Sequence, residues 1–217
     1  MFIVETEPKS IAAESYRTLR TNIQYSSFDK DNKVIVITSS EQEEGKSTVS
    51  GNLALSMASD GKKVILIDCD LRKPSLHKKF KISNLVGLSD VIIGKTDLTG
   101  AIHRYNKNLI ILPSGKIPPN PSEMLSSKTM ENLLEALKGA FDYIIIDTPP
   151  IQAVTDSQIL SAKADGTILV VRAEKTKKDS VENAVDLLKK VNANIIGTVL
   201  NCLDIGRGKY YYYYGEK

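Results

Sequence analysis

Two rhythms of apolar residues run along the chain. Short continuous runs recur at Val34 to Ile37, Val64 to Ile67, Leu109 to Leu112, Tyr143 to Ile146, Gly166 to Val171 and Ile195 to Leu200. Runs this short, apolar on both sides and rich in β-branched residues, predict strands buried on both faces. Between them, apolar residues return every three or four positions. Ala12, Tyr16, Leu19 and Ile23 predict a helix from Pro8 to about Ser26, and Leu53, Ala54, Met57 and Ala58 a helix that Gly61 stops. Met130, Leu133, Leu134 and Leu137 predict one near Lys128 to Lys138, and Val181, Ala184, Val185 and Leu188 one over Thr176 to Val191. Residues 73–108 are less periodic, with short helices expected near Gly87 to Ile93 and Leu98 to Arg104. Pro113 to Pro121 holds four of the eight prolines and reads as an ordered loop. Strands alternating with helices predict an α/β fold: a mostly parallel sheet, right-handed crossovers and helices on both faces.

Composition narrows the class. The 217 residues suffice for about one domain, and 25% charged with 41% hydrophobic residues is the balance of a soluble globular protein. A net charge of +3 lacks the concentrated basic face that nucleic acid would require, so no nucleic-acid partner is expected. No run approaches the roughly 18 apolar residues of a membrane span, and the first residues lack the basic-then-apolar pattern of a signal peptide. Cys69 and Cys202 are isolated, without metal spacing, which suits a reducing cytoplasm. Cys69 reads as a small core residue. His77 and His103 have no companion ligands in the sequence, so no metal role is expected for them.

The chemistry begins at the end of the first strand. Val34 to Ile37 leads into Ser40-Glu41-Gln42-Glu43-Glu44-Gly45-Lys46-Ser47-Thr48 and then into a helix, the context of a phosphate-binding loop. Lys46 would reach terminal phosphates and is expected to be exposed; the Ser47 hydroxyl would ligate Mg²⁺. The first motif position is Ser40 rather than Gly. The second strand ends in Asp68-Cys69-Asp70-Leu71-Arg72, where ligands bind in α/β sheets. Asp68 and Asp70 are expected to face opposite sides, so that one of them meets the phosphates. Asp147 follows another buried strand, the position of a carboxylate beside Mg²⁺ in phosphate-loop enzymes, and Pro149 and Pro150 turn the chain outward. Asp156 lies in the segment behind, a candidate switch region. Asn201, ending the last strand, could touch a nucleotide base or serve as a turn residue. Glu14, Arg17 and Arg20 flank the stripe of the first helix as a solvated face or an interface. Tyr210, Tyr211, Tyr212, Tyr213 and Tyr214 fit no amphipathic pattern, and the glycines around them suggest a flexible tail over 205–217, after a single domain over 1–204.

In order, Glu14-x-x-Arg17-x-x-Arg20, Gly45-Lys46-Ser47-Thr48, Ile65-Leu66-Ile67-Asp68-Cys69-Asp70-Leu71-Arg72, Pro119-Asn120-Pro121-Ser122-Glu123, Ile144-Ile145-Ile146-Asp147-Thr148-Pro149-Pro150 and the terminal tyrosines resemble the bacterial tyrosine kinases of capsule and exopolysaccharide operons. The form resembled is a separate cytoplasmic protein, and the likeness covers essentially the whole chain.

The resemblance implies a P-loop NTPase fold and an ATP-dependent protein-tyrosine kinase with Mg²⁺. Glu43, Glu44, Gly45, Lys46, Ser47, Thr48 and Asn201 would bind the nucleotide. Ser47, Asp68 and Asp147 would hold the metal. Lys46 with Asp68 or Asp70 would act in transfer. Tyr210 to Tyr214 would be phosphorylated by a neighbouring subunit, in a ring formed through Glu14, Arg17 and Arg20. Other implied partners are a transmembrane polysaccharide co-polymerase, whose cytoplasmic tail activates the kinase and recruits it to the inner face of the membrane, and a cognate tyrosine phosphatase. A multiply phosphorylated tail is expected to be repelled by Asp68, Asp70 and Asp147, dispersing the ring. Gln42 and Glu43 stand where the family has Pro and Gly, so Glu43 is expected to be strained wherever φ must be positive. Two other functions fit the same motifs: a partitioning or division-site ATPase, against which Glu41 stands where those carry a second lysine, and a non-catalytic nucleotide-sensing scaffold.

Overall fold

The computed structural model describes residues 2–26 and 32–204; the tyrosines at 210–214 lie outside them. The chain runs α1 (Ile3–Thr6), α2 (Ile11–Tyr25), β1 (Val34–Ser39), α3 (Lys46–Ser59), β2 (Val64–Asp68), α4 (Leu76–Phe80), α5 (Leu88–Ile92) and α6 (Leu98–Ala101). It continues through β3 (His103–Arg104), β4 (Leu109–Leu112), α7 (Pro121–Ser126), α8 (Lys128–Ala140), β5 (Tyr143–Asp147), α9 (Asp156–Ser161), β6 (Gly166–Arg172), α10 (Lys178–Lys190) and β7 (Ile195–Asn201). The strands form one sheet in the order β3-β4-β2-β5-β1-β6-β7, parallel except for the β3–β4 pair. This is the α/β architecture expected.

Alternation along each strand feeds two cores. Ile35, Ile37, Val64, Leu66, Ile145, Ile168 and Val170 face α1 to α4. Val34, Val36, Ile65, Ile67, Ile144 and Ile146 face α5 to α9, while Leu169 and Val171 meet α10. Burial on both faces explains why these strands read as continuous apolar runs. The α3 helix is buried nearly all round, from Val49 to Ala58. One side rests on the sheet; α2 and α1 cover the other, where its residues are the small or polar Gly51, Asn52 and Ser56.

Several boundaries differ from the sequence expectation. The first long helix starts at Ile11 because the Ser10 hydroxyl caps it, accepting from Ala13 N–H at 3.2 Å. Ala13 is its buried alanine and Ala12 is exposed. The helix expected over Leu98 to Arg104 stops at Ala101, because His103 and Arg104 pair with Ile111 and Ile110 as an added edge strand. Pro121 opens α7, where a missing N–H costs nothing.

The short α1 was not expected. It ties the start of the described chain to α3: Val4 N–H donates to Asn52 Oδ1 at 3.1 Å. Phe2 is buried against Gly51, where an added Cβ would lie 2.1 Å from the ring. Phe2 also packs on Phe80 of α4, ring centroids 4.4 Å apart, and Phe80 meets Tyr105 edge-on at 5.0 Å.

Candidate active site

Three parallel strands, β2, β5 and β1, lie side by side and end at one place. Register puts Asp68 beside Asp147, and Ile37 of β1 beside Asp147 on its other flank. The chain leaving β1 forms the loop 40–45 and enters α3 at Gly45, whose φ of 93° is the left-handed conformation a glycine adopts freely. A cavity of about 500 Å³ opens here, lined by Lys46, Ser47, Thr48, Asp70 and Pro149 among others.

Lys46 is 14% exposed, less than expected, and pairs with Asp70 at 3.1 Å. Burial alone would lower its pKa; the carboxylates of Asp147, then Asp70, outweigh that and raise it, so the side chain is a firm cation. Asp147 is fully buried. Ser50 Oγ donates to its Oδ1 at 3.0 Å, and its Oδ2 has no hydrogen-bond partner among the described residues. Burial raises its pKa against the pull of Lys46 and of the Ser47 and Ser50 hydroxyls. An orphaned carboxylate oxygen beside Ser47 fits a hydrated divalent cation better than it fits a resting core. Among the described residues no three His, Cys, Asp or Glu side chains converge as a preformed metal cage.

Asp68 is also fully buried, with burial first and Asp147 second raising its pKa to about 8. Its oxygens accept backbone N–H groups: Asp70 on Oδ1 at 3.2 Å, Ser75 and Leu76 on Oδ2 at 3.1 and 3.0 Å. Asp68 therefore ties the following loop to the strand end, and Asp70 is the carboxylate that lines the cavity. The two do separate, but not by strand alternation, which places residues two apart on the same side. They separate because β2 ends at Asp68. Cys69 between them is buried, and burial pushes its thiol pKa well up, as befits an inert core residue.

The loop's other positions brace the loop itself. Glu43 sits at φ 63°, the strained conformation expected, and its side chain turns out to Lys175 at 3.3 Å. Arg172 Nη1 donates to the Glu43 carbonyl at 3.1 Å. The Glu44 carboxylate is buried, accepting from Glu41 N–H at 2.9 Å and from the Thr176 hydroxyl. Asn201 Nδ2 donates to the Glu44 carbonyl at 2.9 Å and closes the space beside Gly45. The Glu44 carboxylate and the Asn201 amide nitrogen thus bind within the protein and brace the loop. Arg172, Lys175 and Thr176 were missed. Arg172 ends β6 next to Asn201 at the end of β7, and that shared strand-end position was the available signal. Thr48 Oγ1 accepts from Lys79 Nζ at 2.9 Å.

Two expectations change. Asp68 and Asp147 are wholly buried and Asp70 is ion-paired, so these three carboxylates do not form an open acidic surface toward an incoming chain. On α2, Arg17 pairs with Glu14 at 2.5 Å and its Nη2 reaches the Pro8 carbonyl. Arg20 turns inward, its Nη1 donating to the Ser56 carbonyl of α3 at 2.9 Å and its Nη2 3.5 Å from Asp60. Arg20 therefore takes part in the domain's own packing.

Comparison with known proteins decides the family. A family model described as an AAA domain matches residues 32–201. The tyrosine-protein kinase YwqD of Bacillus subtilis is 46% identical over 216 residues, 99% of this chain and 91% of that protein. The chain belongs to the bacterial tyrosine kinases. The crystal structure of the chimerical protein CapA2B2 superposes on this tyrosine kinase with a TM-score of 0.88 at 37% identity, covering 92% of this chain and 88% of that one. The septum site-determining protein MinD of Pyrococcus horikoshii, complexed with Mg-ADP, shares the fold at a TM-score of 0.66 and 27% identity, covering 77% of this chain and 69% of that one. Among the described residues, no helix of the kinase is long and apolar enough to cross a membrane.

Proposed function

We propose that this tyrosine kinase binds ATP with Mg²⁺ on the Gly45 to Thr48 loop and phosphorylates its own terminal tyrosines, Tyr210 to Tyr214, in trans. The observation that carries the reading is the Lys46–Asp70 pair in a cavity also lined by Ser47, with the buried Asp147 lying behind Ser47. The backbone N–H groups that open α3, with Lys46, would hold the phosphates. Ser47 and Asp147 would hold Mg²⁺, Asp147 through water. When bound, Mg²⁺ supplies charge neutralisation on the phosphate oxygens. Lys46 would leave Asp70 for the phosphates, freeing Asp70 to accept the proton of the acceptor hydroxyl. A phenol with a pKa of about 10 needs only late proton removal in a loose transition state. Asp68, lacking access to the cavity, would serve by fixing the loop that carries Asp70.

The proposal extends to a wider setting. The kinase would work in capsule or exopolysaccharide synthesis as a homo-oligomeric ring in the cytoplasm. It would be recruited to the membrane and activated by the cytoplasmic tail of a transmembrane co-polymerase, and reversed by a tyrosine phosphatase. The pairing of two proteins in the CapA2B2 chimera supports such a partner. Glu14, exposed on α2, and the half-buried Arg17 would make the ring contact. Anti-phosphotyrosine detection on the purified chain with Mg-ATP, with and without the activator's tail, tests the proposal. ATP hydrolysis without phosphotyrosine in either case would replace it with a partitioning-type ATPase. Nucleotide binding with neither would leave a scaffold.

A further inference from the structure

Three residues with no role so far meet beside the cavity, which one of them, Arg72, lines. Arg72 ends the second Walker-type motif, Ser122 belongs to the Pro119 to Glu123 segment, and Asp156 follows the turn after Asp147. Asp156 is fully buried and both its oxygens are engaged. Oδ2 accepts from Arg72 Nε at 2.9 Å; Oδ1 accepts from Arg72 Nη2 at 3.2 Å and from the Ser122 hydroxyl at 2.6 Å. Arg72 Nη2 also donates to Ser122 Oγ at 3.1 Å. A planar guanidinium gripped along its Nε and Nη2 edge has a fixed direction.

The remaining nitrogen, Nη1, makes no hydrogen bond among the described residues, and the side chain lines the cavity at 39% exposure. Lys73 and Lys79 line the same cavity; both are exposed, and neither has a carboxylate partner among the described residues. Pro149, Pro150 and Val154 give the wall an apolar stretch. Lys46 is already matched by Asp70 and placed for the nucleotide, so these further cations exceed what the phosphate loop alone uses.

We infer that Arg72 and Lys73 form the acceptor side of the site and select a tyrosine that has an anionic neighbour. The neighbour is a Glu or Asp carboxylate or a phosphotyrosine formed in an earlier turnover; the tyrosine ring lies on the Pro149, Pro150 and Val154 wall. Asp156 and Ser122 are positioning residues that aim Arg72. The inference rests on the kinase reading and names its substrate class. A tail already bearing phosphotyrosine is then drawn in rather than repelled, so phosphorylation of a tyrosine run proceeds from one residue to its neighbours.

The test is binding, which needs no transfer. Fluorescent peptides with one tyrosine flanked by Glu, by Gln, by Lys or by a phosphotyrosine are titrated with the full chain saturated with Mg-ADP, by anisotropy. The Glu-flanked or the phosphotyrosine peptide binds roughly tenfold tighter than the Gln-flanked one, which is about the size of one good charge-assisted contact. Tightening with one of the two alone identifies the carboxylate or the phosphoryl as the group selected. Arg72→Gln and Lys73→Gln each shrink the preference while fluorescent Mg-ADP binds as before. Should Arg72→Gln fail to fold with Asp156 left unpaired, the exposed Lys73→Gln decides. Equal binding whatever the flank overturns the inference, as does loss of Mg-ADP affinity in step with peptide affinity, which would return these cations to the nucleotide. A chain that never forms phosphotyrosine defeats the kinase reading while leaving a measured preference intact, so the two failures are distinguishable.

Discussion

The ends of β2 and β5 and the outer face of α2 both carry charged residues at fixed spacing, and they differ in what holds the charges. At the strand ends, Asp68 and Asp147 are fully buried, fixed in register and hydrogen-bonded to backbone or to Ser50. On α2, the exposed Glu14 and the half-buried Arg17 pair with each other three residues apart. Such a pair is worth a few tenths of a kcal/mol, whereas removing one partner of a buried charged cluster costs several. The first set is defined by the domain alone. The second is defined in part by whatever else it touches.

The largest effect expected is on the strand-end side. Lys46→Met lowers tyrosine phosphorylation by two to three orders of magnitude or more, about the size of losing a preorganised electrostatic contact. The fold survives, because the lysine lines the cavity and not the core. Phosphotyrosine blotting beside a thermal melt checks both; wild-type phosphorylation would remove Lys46 from catalysis.

Asp68 offers a pH test of the same region without metal. Its folded pKa of about 8 lies far above an ordinary carboxylate's. The folded chain keeps a proton that the unfolded chain has released, so this group's contribution to stability falls as pH rises from about 4 to 8. Asp68→Asn removes that slope. Denaturant unfolding of both chains at pH 5, 6.5 and 8, in chelator, should show the wild type losing ground to the variant; parallel curves would mean the carboxylate is already ionised.

The α2 motif should split. Arg20→Ala costs about 1–2 kcal/mol, since it removes a charged donor from a carbonyl of α3 and opens packing. Arg17→Ala stays within about 0.5 kcal/mol. Light scattering on the two variants then separates assembly from folding: Arg17→Ala should yield monomers while melting normally. An unchanged large assembly would exclude Arg17 from the contact.

The smallest effect is at Glu43. Glycine there relieves the left-handed strain, worth about 1 kcal/mol at most, offset by losing the exposed Lys175 pair. Nucleotide affinity by fluorescence titration should rise slightly or hold; a large fall would assign the Glu43 side chain a direct part in binding.

This contrast also governs how much the sequence disclosed. The six long strands, Gly45-Lys46-Ser47, Asp68, Asp70 and Asp147 were legible because a doubly covered parallel sheet writes itself as apolar runs and its ligand groups stand where those runs stop. The left-handed Glu43 was legible as the departure from a glycine. The bracing of the loop by Arg172, Thr176 and Asn201 was not, because β6 and β7 lie far along the chain and only strand order brings their ends beside β1. The inward turn of Arg20 was hidden for a similar reason. A helical stripe fixes a direction, but not the neighbouring carbonyl that captures a charged side chain at its margin. The buried alanine of α2 is Ala13, one position out of phase with the Ala12 stripe, a difference that helical spacing alone does not settle.

Phe2 and Gly51 leave a mark on how this sequence can drift. The ring occupies the space a side chain at 51 would need, so neither position evolves alone. A lineage that acquires even alanine at 51 must shrink or displace its ring at 2, and one that loses the ring leaves a void that a larger residue at 51 can fill. The two letters should therefore covary as mutually exclusive states, and the letter at 51 should report whether a relative keeps its leading segment strapped across the phosphate-loop helix.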